Sequence, residues 1–543
     1  MNRSQTFPRP HIVIVGGGLA GLAASSALVD RGLRITLLES RPRLGGRASS
    51  FVDPATGEQV DNCQHVSLAC CTNLADFSRR VGIDFLFRRE PAVVFLGPNG
   101  AVWRLQAGLF PPPFHLAWSF LGARFLSWAE KLQVGRALAR LALDRDEQAG
   151  ESFADWLLRH GQSLRAINLF WAPVLVSALN ERLERMDIGH ARKVVVDGFL
   201  KTRHGFEMEV PLVPLGELYG TRLEAWLRRK QVELRMGSAV RSIELDDDGA
   251  LAGVALRQGE RISADFVILA VSFDRAAELL PAVLRRDVRF AGVSTLEASP
   301  ITGVHLWFDR PVCPYAHVVT PGRLVQWVFN HTALQGRQAP AGFSHPDDGT
   351  PVGSSPRKSG RLAGSAGGQY LQVVISASYD LLHLDREAIR AAVVADLAEL
   401  WPAATEARLL RSWVVTEHGA TFAVRPGVDA LRPPQRTSVD GLFLAGDWTA
   451  TGWPATMEGA VRSGYLAAEG VLQDLDRPSR LIQPELRPGR LAGWLLGKHP
   501  IQLAAPVAWD RSPPPEVAPS PASLTVRGDA SALSPTPGLP DPG

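Results

Sequence analysis

The chain has 543 residues, which is long enough for two or more domains with substantial cores. Its 58 Lys and Arg residues nearly balance 55 Asp and Glu residues, so the composition gives no reason to expect a nucleic-acid partner. The four cysteines are too few and too irregularly spaced for a disulfide framework or a zinc site. We therefore expect reduced thiols, no bound metal and a cytoplasmic location.

The segment Ile12–Val29 carries no charged residue, and Arg3 and Arg9 precede it. A signal sequence or a membrane-spanning helix is one interpretation of such a segment. However, four glycines follow a β-branched run, and glycine favours a tight turn over a stable spanning helix. The strand HIVIV, the glycine-rich turn, a helix over LAGLAASSALVDRG and the strand RITLLE instead predict a βαβ unit.

The glycines of this turn match the dinucleotide fingerprint G-x-G-x-x-G. Gly16 would make the turn, Gly18 would let the backbone approach a pyrophosphate, and Gly21 would let the helix pack closely on the strand. The helix start at Leu19 and Ala20 then faces the phosphates, where exposed N–H groups and the helix dipole favour negative charge.

An acidic residue and a second glycine pair follow the βαβ unit. Glu39 ends the second strand where a carboxylate accepts hydrogen bonds from an adenosine ribose, and a solvated strand end is the alternative. With Gly45, Gly46 and Arg47 it forms the pattern E-x-x-x-x-x-G-G-R, which resembles the flavin-containing amine oxidase and phytoene desaturase superfamily. The resemblance implies FAD, with Arg47 on the diphosphate. No second strand-linked fingerprint predicts a separate NAD(P)H module.

The sequence DGLFLAGDWTATGWPATMEGAVRSGYLAAEGVL supports the same interpretation from the far end of the chain. It predicts a buried strand, a turn at Gly446 and Asp447, and an amphipathic helix from about Thr456 to Leu472. In the resembled superfamily this is a second flavin motif, with Asp447 on the ribityl or phosphate portion and Thr456 and Met457 near the isoalloxazine. A helix start there would stabilise negative charge on reduced flavin. The alternative for Asp447 is a turn or cap residue.

Between the two motifs, GSAVRSIELDDDGALAGVALRQGERISADFVILAVSF predicts a β-meander and a further buried strand. The resemblance implies that the backbone of Val240 meets the adenine. The predicted fold class is therefore α/β, with a Rossmann-like FAD-binding domain that is discontinuous in sequence and an α+β substrate domain. The FAD-binding domain is expected over 1–85, 205–285 and 405–475, and the substrate domain over 86–204 and 286–404.

Two stretches have compositions that do not favour folding. Residues 331–368 are rich in Gly, Ser, Pro and Arg, so we predict a disordered surface insertion. The C-terminal extension, 476–543, becomes rich in Pro, Ser and Ala, and we predict disorder from about Ser512.

Three further segments carry a more specific likeness: D-N-C-Q-H at 61–65, LFWAPVLVSALNE at 169–181 and GATFAVRPGV at 419–428. They resemble the hydroxysqualene dehydroxylase family. With the flavin motifs, the likeness covers most of 11–475. It implies reduction of hydroxysqualene to squalene, in which the allylic hydroxyl leaves and reduced flavin supplies a hydride. The superfamily more often has glycine where Cys63 stands, which bears on the geometry of that turn.

Other functions fit the same motifs. A carotenoid-type desaturase would use the pocket with the redox direction reversed, taking hydride from a polyprenoid hydrocarbon. An amine oxidase fits less well, because the sequence shows no clear aromatic pair for an amine. A non-catalytic flavin-binding partner of a membrane synthase complex is the alternative from another class.

Loss of the hydroxyl group requires a proton donor, preferably in a dry site. Asp61 and His65 are the candidates by motif position. The alternative is that Asp61 caps a turn and His65 satisfies backbone groups. No residue pattern identifies the electron donor.

A hydrocarbon substrate would need an apolar tunnel. The stretches 110–128 and 167–179 concentrate aliphatic and aromatic residues that would line such a tunnel or form ordinary core. Residues 485–500 interleave basic and apolar side chains, which predicts an interfacial helix and peripheral contact with the membrane. A basic helix packed on the protein is the equal alternative.

Overall fold

The glycine-rich corner near the amino terminus folds as the sequence predicts. The computed structural model describes residues 9–98, 100–143, 150–336, 367–501 and 503. In it, strand His11–Val15 leads into helix Leu19–Leu28 and then into strand Arg34–Glu39. All ten residues of the helix are buried. The predicted βαβ unit is confirmed, and no helix within the described ranges is both long and apolar enough to cross a bilayer.

The described residues contain strands of two to fourteen residues. In chain order they are β1 His11–Val15, β2 Arg34–Glu39, β3 Ser50–Val52, β4 Gln59–Asp61, β5 Ser67–Leu68, β6 Phe87–Glu90, β7 Ala92–Leu96, β8 Val102–Gln106, β9 Met208–Pro211, β10 Glu233–Met236, β11 Val240–Leu245, β12 Leu251–Leu256, β13 Arg261–Ser263, β14 Phe266–Leu269, β15 Ala298–Phe308, β16 His317–Val319, β17 Trp327–Asn330, β18 Gln369–Ser376, β19 Leu409–Phe422 and β20 Leu442–Leu444.

The α-helices of the same residues are mostly short. They are α1 Leu19–Leu28, α2 Thr72–Val81, α3 Ala117–Leu121, α4 Trp128–Leu143, α5 Phe153–Arg159, α6 Leu164–Ala166, α7 Ala172–Leu179, α8 Ile188–Lys193, α9 Arg222–Arg229, α10 Phe273–Leu279, α11 Ala282–Arg286, α12 Val288–Ala291, α13 His331–Gln335, α14 Arg386–Leu400, α15 Ala403–Glu406, α16 Met457–Asp474 and α17 Arg490–Leu495. Wider π-helical turns occur at Ile167–Trp171, Val194–Leu200 and Gly216–Thr221.

A five-stranded parallel sheet holds the flavin motifs. Its strand order is β10-β2-β1-β14-β20, and Ile12 pairs with Ile35 on one side and Phe266 on the other. Helices α1 and α16 meet closely beside it, because a Cβ on Gly464 would lie 2.2 Å from the Ala20 carbonyl oxygen. Parallel sheets need both faces covered, which explains why the inner strands β1 and β14 are largely apolar. The predicted Rossmann-like α/β class is confirmed.

The strands of this sheet come from three separate stretches of the chain, 11–39, 233–269 and 442–444. The predicted meander between them is present, with β11, β12 and β13 in one antiparallel sheet. Its first turn bends at Gly249, whose N–H donates to the Asp246 carbonyl at 3.0 Å. The exact domain boundaries stay a prediction.

A seven-stranded mixed sheet forms the second layer, in the order β19-β15-β18-β17-β16-β7-β8. One of its faces packs on α14, where Val393 and Leu397 join Val304 and Leu306 in a buried cluster. Its other face looks towards the parallel sheet. This sheet includes β19, which lies within the range 405–475 predicted for the FAD-binding domain.

One prediction of disorder is wrong in part. Residues His331–Gln335 form helix α13, whose start is capped because the Asn330 side chain accepts a hydrogen bond from the Ala333 N–H at 3.1 Å. Strand β18 then begins at Gln369. Asn330 is an ordinary capping residue, so the helix start was readable from the sequence. Residues 337–366 of the predicted insertion and the predicted disordered tail lie outside the described residues.

Candidate functional site

A cavity of about 580 Å³ lies where the carboxyl ends of the parallel strands meet the second sheet. Such an end, at the point where strand order reverses, is where open α/β sheets bind ligands. Most of the predicted site residues line this cavity: Gly16, Gly18, Leu19, Ala20, Glu39, Gly45, Gly46, Arg47, His65, Val240, Gly446, Asp447, Thr456 and Met457. Gly21 and Asp61 do not line it.

The turn after β1 depends on glycine for backbone reasons. Gly16 has φ of 110°, and a Cβ there would lie 2.4 Å from the Ala270 carbonyl oxygen. A Cβ on Gly21 would lie 2.0 Å from the Gly16 carbonyl oxygen. Gly21 therefore lets the first turn of α1 close on the strand without facing the cavity.

The second glycine pair rests on the first. The Gly45 N–H donates to the Gly17 carbonyl at 2.9 Å, and a Cβ on Gly46 would lie 3.0 Å from the Gly18 Cα. In contrast, a Cβ on Gly18 would meet no atom nearer than 3.8 Å. Gly18 thus leaves open space at a helix start on the cavity surface, which is the cradle that a dinucleotide diphosphate needs.

Glu39 is held with its carboxylate at the cavity edge. One oxygen accepts from the Gly17 N–H at 2.7 Å and the other from the Arg41 N–H at 2.8 Å. The residue is 8% exposed. Because each carboxylate oxygen can accept more than one hydrogen bond, both oxygens can also receive ribose hydroxyls.

An ion pair joins the two motifs, which are 400 residues apart in sequence. Arg47 donates to the Asp447 carboxylate at 2.5 Å and to the Ala420 carbonyl at 2.9 Å. Burial opposes the charge of Arg47, but the neighbouring carboxylate outweighs it and raises the pKa of the guanidinium. The site therefore keeps a permanent positive charge beside the glycine cradle.

The second motif begins its helix as predicted. Thr456 caps α16 by accepting from the Gly459 N–H at 3.1 Å, and α16 runs from Met457 to Asp474. Glu458, the second residue of α16, is fully buried. Its carboxylate reaches α2 and accepts a hydrogen bond from the Leu74 N–H at 2.7 Å. Burial raises the pKa of Glu458. The residues present therefore fit a flavin dinucleotide, with a cradle, a ribose acceptor and a helix start around one cavity.

The two catalytic candidates have different surroundings. The Asp61 carboxylate is 1% exposed and accepts from the Ser50 hydroxyl at 2.6 Å and the Leu215 N–H at 2.9 Å. These contacts favour the structural alternative for Asp61. Nδ1 of His65 lies 2.9 Å from the Cys63 carbonyl, which can only accept, so Nδ1 carries a hydrogen. Burial and Arg47 lower the pKa of His65.

Three thiols also line the cavity, at Cys63, Cys70 and Cys71, and all are free. Burial raises the pKa of Cys63 to about 12, and a hydrogen bond with Cys70 and burial raise the pKa of Cys71 well above its usual value. Both therefore stay protonated at neutral pH. Cys63 is not in the left-handed region, so its turn does not require the glycine that the superfamily more often has.

The substrate side of the cavity is largely apolar. From the predicted stretch 167–179, Pro173, Val174 and Ala178 line it, but no residue of 110–128 does, so the tunnel prediction for 110–128 is wrong. The side chains that sequence reasoning missed are mostly strand and loop residues: Val93, Phe95, Leu105, Phe206, Met208, Ile301, Trp327, Phe329 and Val374. Their alternation along strands is a core signal, which does not separate a cavity wall from a packed interior.

Two charged residues of the wall were also missed. Lys193 Nζ lies 3.1 Å from the Asp197 carboxylate and 3.3 Å from that of Glu485, and it sits over the Trp453 ring. Lys193 and Asp197 line the cavity. Their spacing of four residues on one helix face was the signal available in the sequence.

The comparisons with known proteins agree with this geometry. The chain belongs to the family described as flavin containing amine oxidoreductase, which matches residues 19–472. Membership implies a flavin cofactor and places the protein among flavin-dependent oxidoreductases.

Three relatives carry names that refer to hydroxysqualene, phytoene or zeta-carotene. Hydroxysqualene dehydroxylase of Sinorhizobium fredii is 29% identical over 489 residues, which is 86% of this chain and 99% of the relative. 15-cis-Phytoene desaturase of Glycine max is 27% identical over 87% of this chain and 82% of the relative. A probable zeta-carotene desaturase of Synechococcus elongatus is 28% identical over 85% and 98%.

Solved structures share the fold. An oxidoreductase from Methanosarcina mazei matches with a TM-score of 0.61 at 17% identity, covering 85% of this chain and all of that chain. A putative protoporphyrinogen oxidase from Exiguobacterium matches with a TM-score of 0.60 at 18% identity, covering 86% and 100%. At this identity the likeness shows the fold alone.

Proposed function

We propose that this protein is an FAD-dependent oxidoreductase that reduces hydroxysqualene to squalene. The observation that carries the proposal is the single cavity that joins the glycine cradle to a wall of aliphatic and aromatic side chains. A relative named hydroxysqualene dehydroxylase that matches over 99% of its own length supports it. When bound, reduced FAD supplies the hydride that replaces the departing allylic hydroxyl.

The proposal assigns FAD to the predicted residues. Gly18 and the start of α1 would face the diphosphate, Glu39 would accept from the ribose, and the backbone of Val240 would meet the adenine. Asp447 would contact the ribityl or phosphate portion, and Thr456 and Met457 the isoalloxazine. Arg47 would contact the diphosphate, and the start of α16 would favour the anionic reduced ring.

The remaining cavity would bind the hydrocarbon by excluding water. Val93, Phe95 and Phe329 offer no polar atom on their side chains, whereas the D-N-C-Q-H turn, Lys193 and Asp197 supply polar groups to the same cavity. We place the hydroxyl group of the substrate near the D-N-C-Q-H turn because the likeness to hydroxysqualene dehydroxylase includes that turn. Of the two candidates, His65 lines the cavity and is the proposed proton donor, whereas the contacts of Asp61 favour a structural role. As the neutral Nδ1–H tautomer, His65 presents a lone pair at Nε2, so it would accept a proton before donating one.

Substitution tests the two candidate donors. With FAD bound, His65→Gln is expected to reduce turnover at least tenfold if His65 moves the proton. Asp61→Asn, which keeps an oxygen that can accept from Ser50 and Leu215 but has no carboxyl group to titrate, is the comparison for the turn. Full turnover in both variants would assign the proton to another group or to water.

Product analysis tests the reaction itself. Holoprotein that is photoreduced without oxygen and mixed with hydroxysqualene is expected to give squalene and reoxidised flavin. The second candidate is a polyprenoid desaturase, favoured by the relatives named phytoene and zeta-carotene desaturase. It predicts instead that oxidised holoprotein desaturates phytoene, and that the reduced protein leaves hydroxysqualene unchanged.

We further propose a cytoplasmic location, which the four free cysteines support. The substrate class would be an isoprenoid hydrocarbon, as the names of the relatives suggest.

A further inference from the structure

The structure assigns a membrane-docking surface to two segments that are far apart in sequence. We call this surface the docking face, and its exposed apolar members are Leu109, Phe110, Phe114, Trp118, Leu486 and Trp494. We propose that the docking face lies on an anionic lipid bilayer. The sequence had suggested only 485–500 for this role, as one helix, and the helix formed there has six residues.

Three side chains of the docking face are largely exposed, and the face is distinguished by the grouping of such residues on two neighbouring segments. Leu109 is 99% exposed, Trp118 72% and Trp494 78%. Two tryptophans and a leucine left in water at this level are costly unless another phase covers them. Tryptophan is also the residue enriched where protein meets the headgroup region of a bilayer.

Contacts bring the two segments together. A Cβ on Gly489, just before α17, would lie 3.2 Å from the Pro112 ring. Arg203 donates to the Phe110 carbonyl at 3.1 Å, while the Gly489 N–H donates to the Lys201 carbonyl at 2.9 Å. The loop before α3 and the turn before α17 therefore form neighbouring parts of one surface.

Hydrogen bonds and ion pairs of buried residues hold the C-terminal part of the docking face in place. Lys193 Nζ donates to the Ile501 carbonyl at 2.9 Å, and the Ile501 N–H donates to the Asp197 carboxylate at 2.8 Å. Glu485 pairs with the same lysine. Buried charged groups thus hold both ends of 485–501, although Trp494 between them is 78% exposed.

The charges around the docking face favour an anionic bilayer over a second copy of the chain. Residues 91–129 and 486–501 contain no Asp or Glu, whereas exposed Arg124, Arg487, Arg490 and Lys498 lie on these segments. An anionic bilayer complements this distribution. A second copy of the chain in a twofold dimer would instead bring basic residues against basic residues.

The docking face and the cavity share one loop. The ring of buried His115 lies 6.1 Å from that of Phe206, which lines the cavity, and Leu105 on the preceding strand lines it as well. The outer side of the same loop carries Leu109 and Phe114. Delivery of a hydrocarbon from the bilayer through this region rests on the proposed function, but docking itself does not.

Vesicle binding by the full-length holoprotein tests the proposal. Sedimentation is measured with vesicles of phosphatidylcholine, alone or mixed with phosphatidylglycerol, for the wild type and for Trp118→Ser/Trp494→Ser. The matched control is Phe85→Ser/Val288→Ser, which replaces two side chains that are 66% and 83% exposed outside the docking face. Because all four residues are exposed, the substitutions should leave folding intact. Retained FAD and melting temperature check this.

We expect the wild type and the control to bind phosphatidylglycerol vesicles at least tenfold more tightly than the tryptophan double variant. Raising the salt concentration should weaken binding to phosphatidylglycerol vesicles. Arg487→Gln/Arg490→Gln should also weaken it, by about fivefold for each charge removed. Brominated lipids should quench the wild-type tryptophan fluorescence more than that of the double variant.

Equal binding by the wild type and the double variant, or no binding to either vesicle, would overturn the proposal. So would a dimer that Trp118→Ser/Trp494→Ser dissociates, since the docking face would then be a protein interface. Turnover of detergent-dispersed hydroxysqualene separates this result from the proposed function. Vesicle binding without turnover contradicts only the reaction, and turnover without vesicle binding contradicts only the docking face.

Discussion

Glycine is required at neighbouring positions of the first motif for different physical reasons. Gly21 has no room for a Cβ, because the Gly16 carbonyl oxygen would lie 2.0 Å away. Gly18 has that room within the protein, so its lack of a side chain matters only for what binds above it. The spacing of the fingerprint predicts both positions alike, and only the three-dimensional contacts separate a packing glycine from a binding glycine.

A buried histidine beside the cavity makes stability depend on pH. Neither ring nitrogen of His115 has a hydrogen-bond partner among the described residues, and burial, with the nearby charge of Arg203, lowers its pKa to about 4. In the unfolded chain, the His115 side chain is protonated at pH values below the ordinary histidine pKa of about 6.5. Stability from neutral His115 is therefore complete above about pH 6.5 and is lost as pH falls towards 4.

His115→Phe should remove this pH dependence. From pH 7 to pH 4.5, we expect the wild type to lose about 2 kcal/mol more unfolding free energy than the variant, as measured by urea denaturation. His383→Gln, which replaces an exposed histidine, should keep the wild-type dependence. Parallel pH curves for the wild type and His115→Phe would show that His115 is not the titrating group.

Individual elements are coupled through side chains that the motifs do not name. Glu458, in the first turn of α16, satisfies the N–H groups of Asn73 and Leu74 at the start of α2. A carboxylate at a helix start is stabilised by the helix dipole and by charge-assisted hydrogen bonds. The second flavin motif therefore also fixes a helix that contributes Leu74 to the cavity wall.

Glu458→Gln tests this coupling. The amide keeps the shape but weakens the bonds to α2, so we expect a loss of about 2 kcal/mol in unfolding free energy and weaker retention of flavin. Glu469→Gln is the control on the same helix, since Glu469 accepts from the N–H groups of Leu481 and Ile482 away from the cavity. Glu469→Gln should lower the free energy of unfolding without releasing flavin. Equal flavin loss in both variants would contradict the coupling.

The sequence predicts these helices and strands well, but it does not predict which apolar side chains are exposed. The βαβ unit, the meander and α16 were predicted because periodicity, turns and caps are local signals. The apolar residues of 110–128 predict either a tunnel wall or ordinary core, yet Phe110, Phe114 and Trp118 are exposed. Whether an apolar residue faces a cavity, the core or a membrane depends on distant neighbours, such as Gly489 against Pro112, which no local pattern shows.

Across the whole molecule, buried charges tie the C-terminal segment to the cavity wall. Lys193 is 2% exposed and contacts Asp197, Glu485 and the Ile501 carbonyl. Removing one member of a buried ionic cluster leaves the others unpaired, which costs more than the loss of a surface pair. The segment 485–501 is therefore part of the folded unit that holds the cavity.

Lys193→Met should destabilise the protein by about 3 kcal/mol and raise the susceptibility of 485–501 to limited proteolysis. Lys230→Met is the matched control, because Lys230 also pairs with a carboxylate, Asp30, but at the surface. Its effect should stay below about 0.5 kcal/mol. Similar melting temperatures for Lys193→Met and the wild type would contradict a structural role for the cluster.

The content of FAD in purified protein tests the central claim most directly, namely that the glycine corner of the parallel sheet holds the dinucleotide. We expect about one FAD per chain in the wild type, and at least a tenfold weaker affinity in Gly18→Ala with an unchanged melting temperature of the flavin-free protein, because the added Cβ meets only ligand. Gly135→Ala, whose Cβ would meet nothing within 4 Å, should bind as the wild type does. Full FAD occupancy in Gly18→Ala, or none in the wild type after reconstitution, would contradict the account.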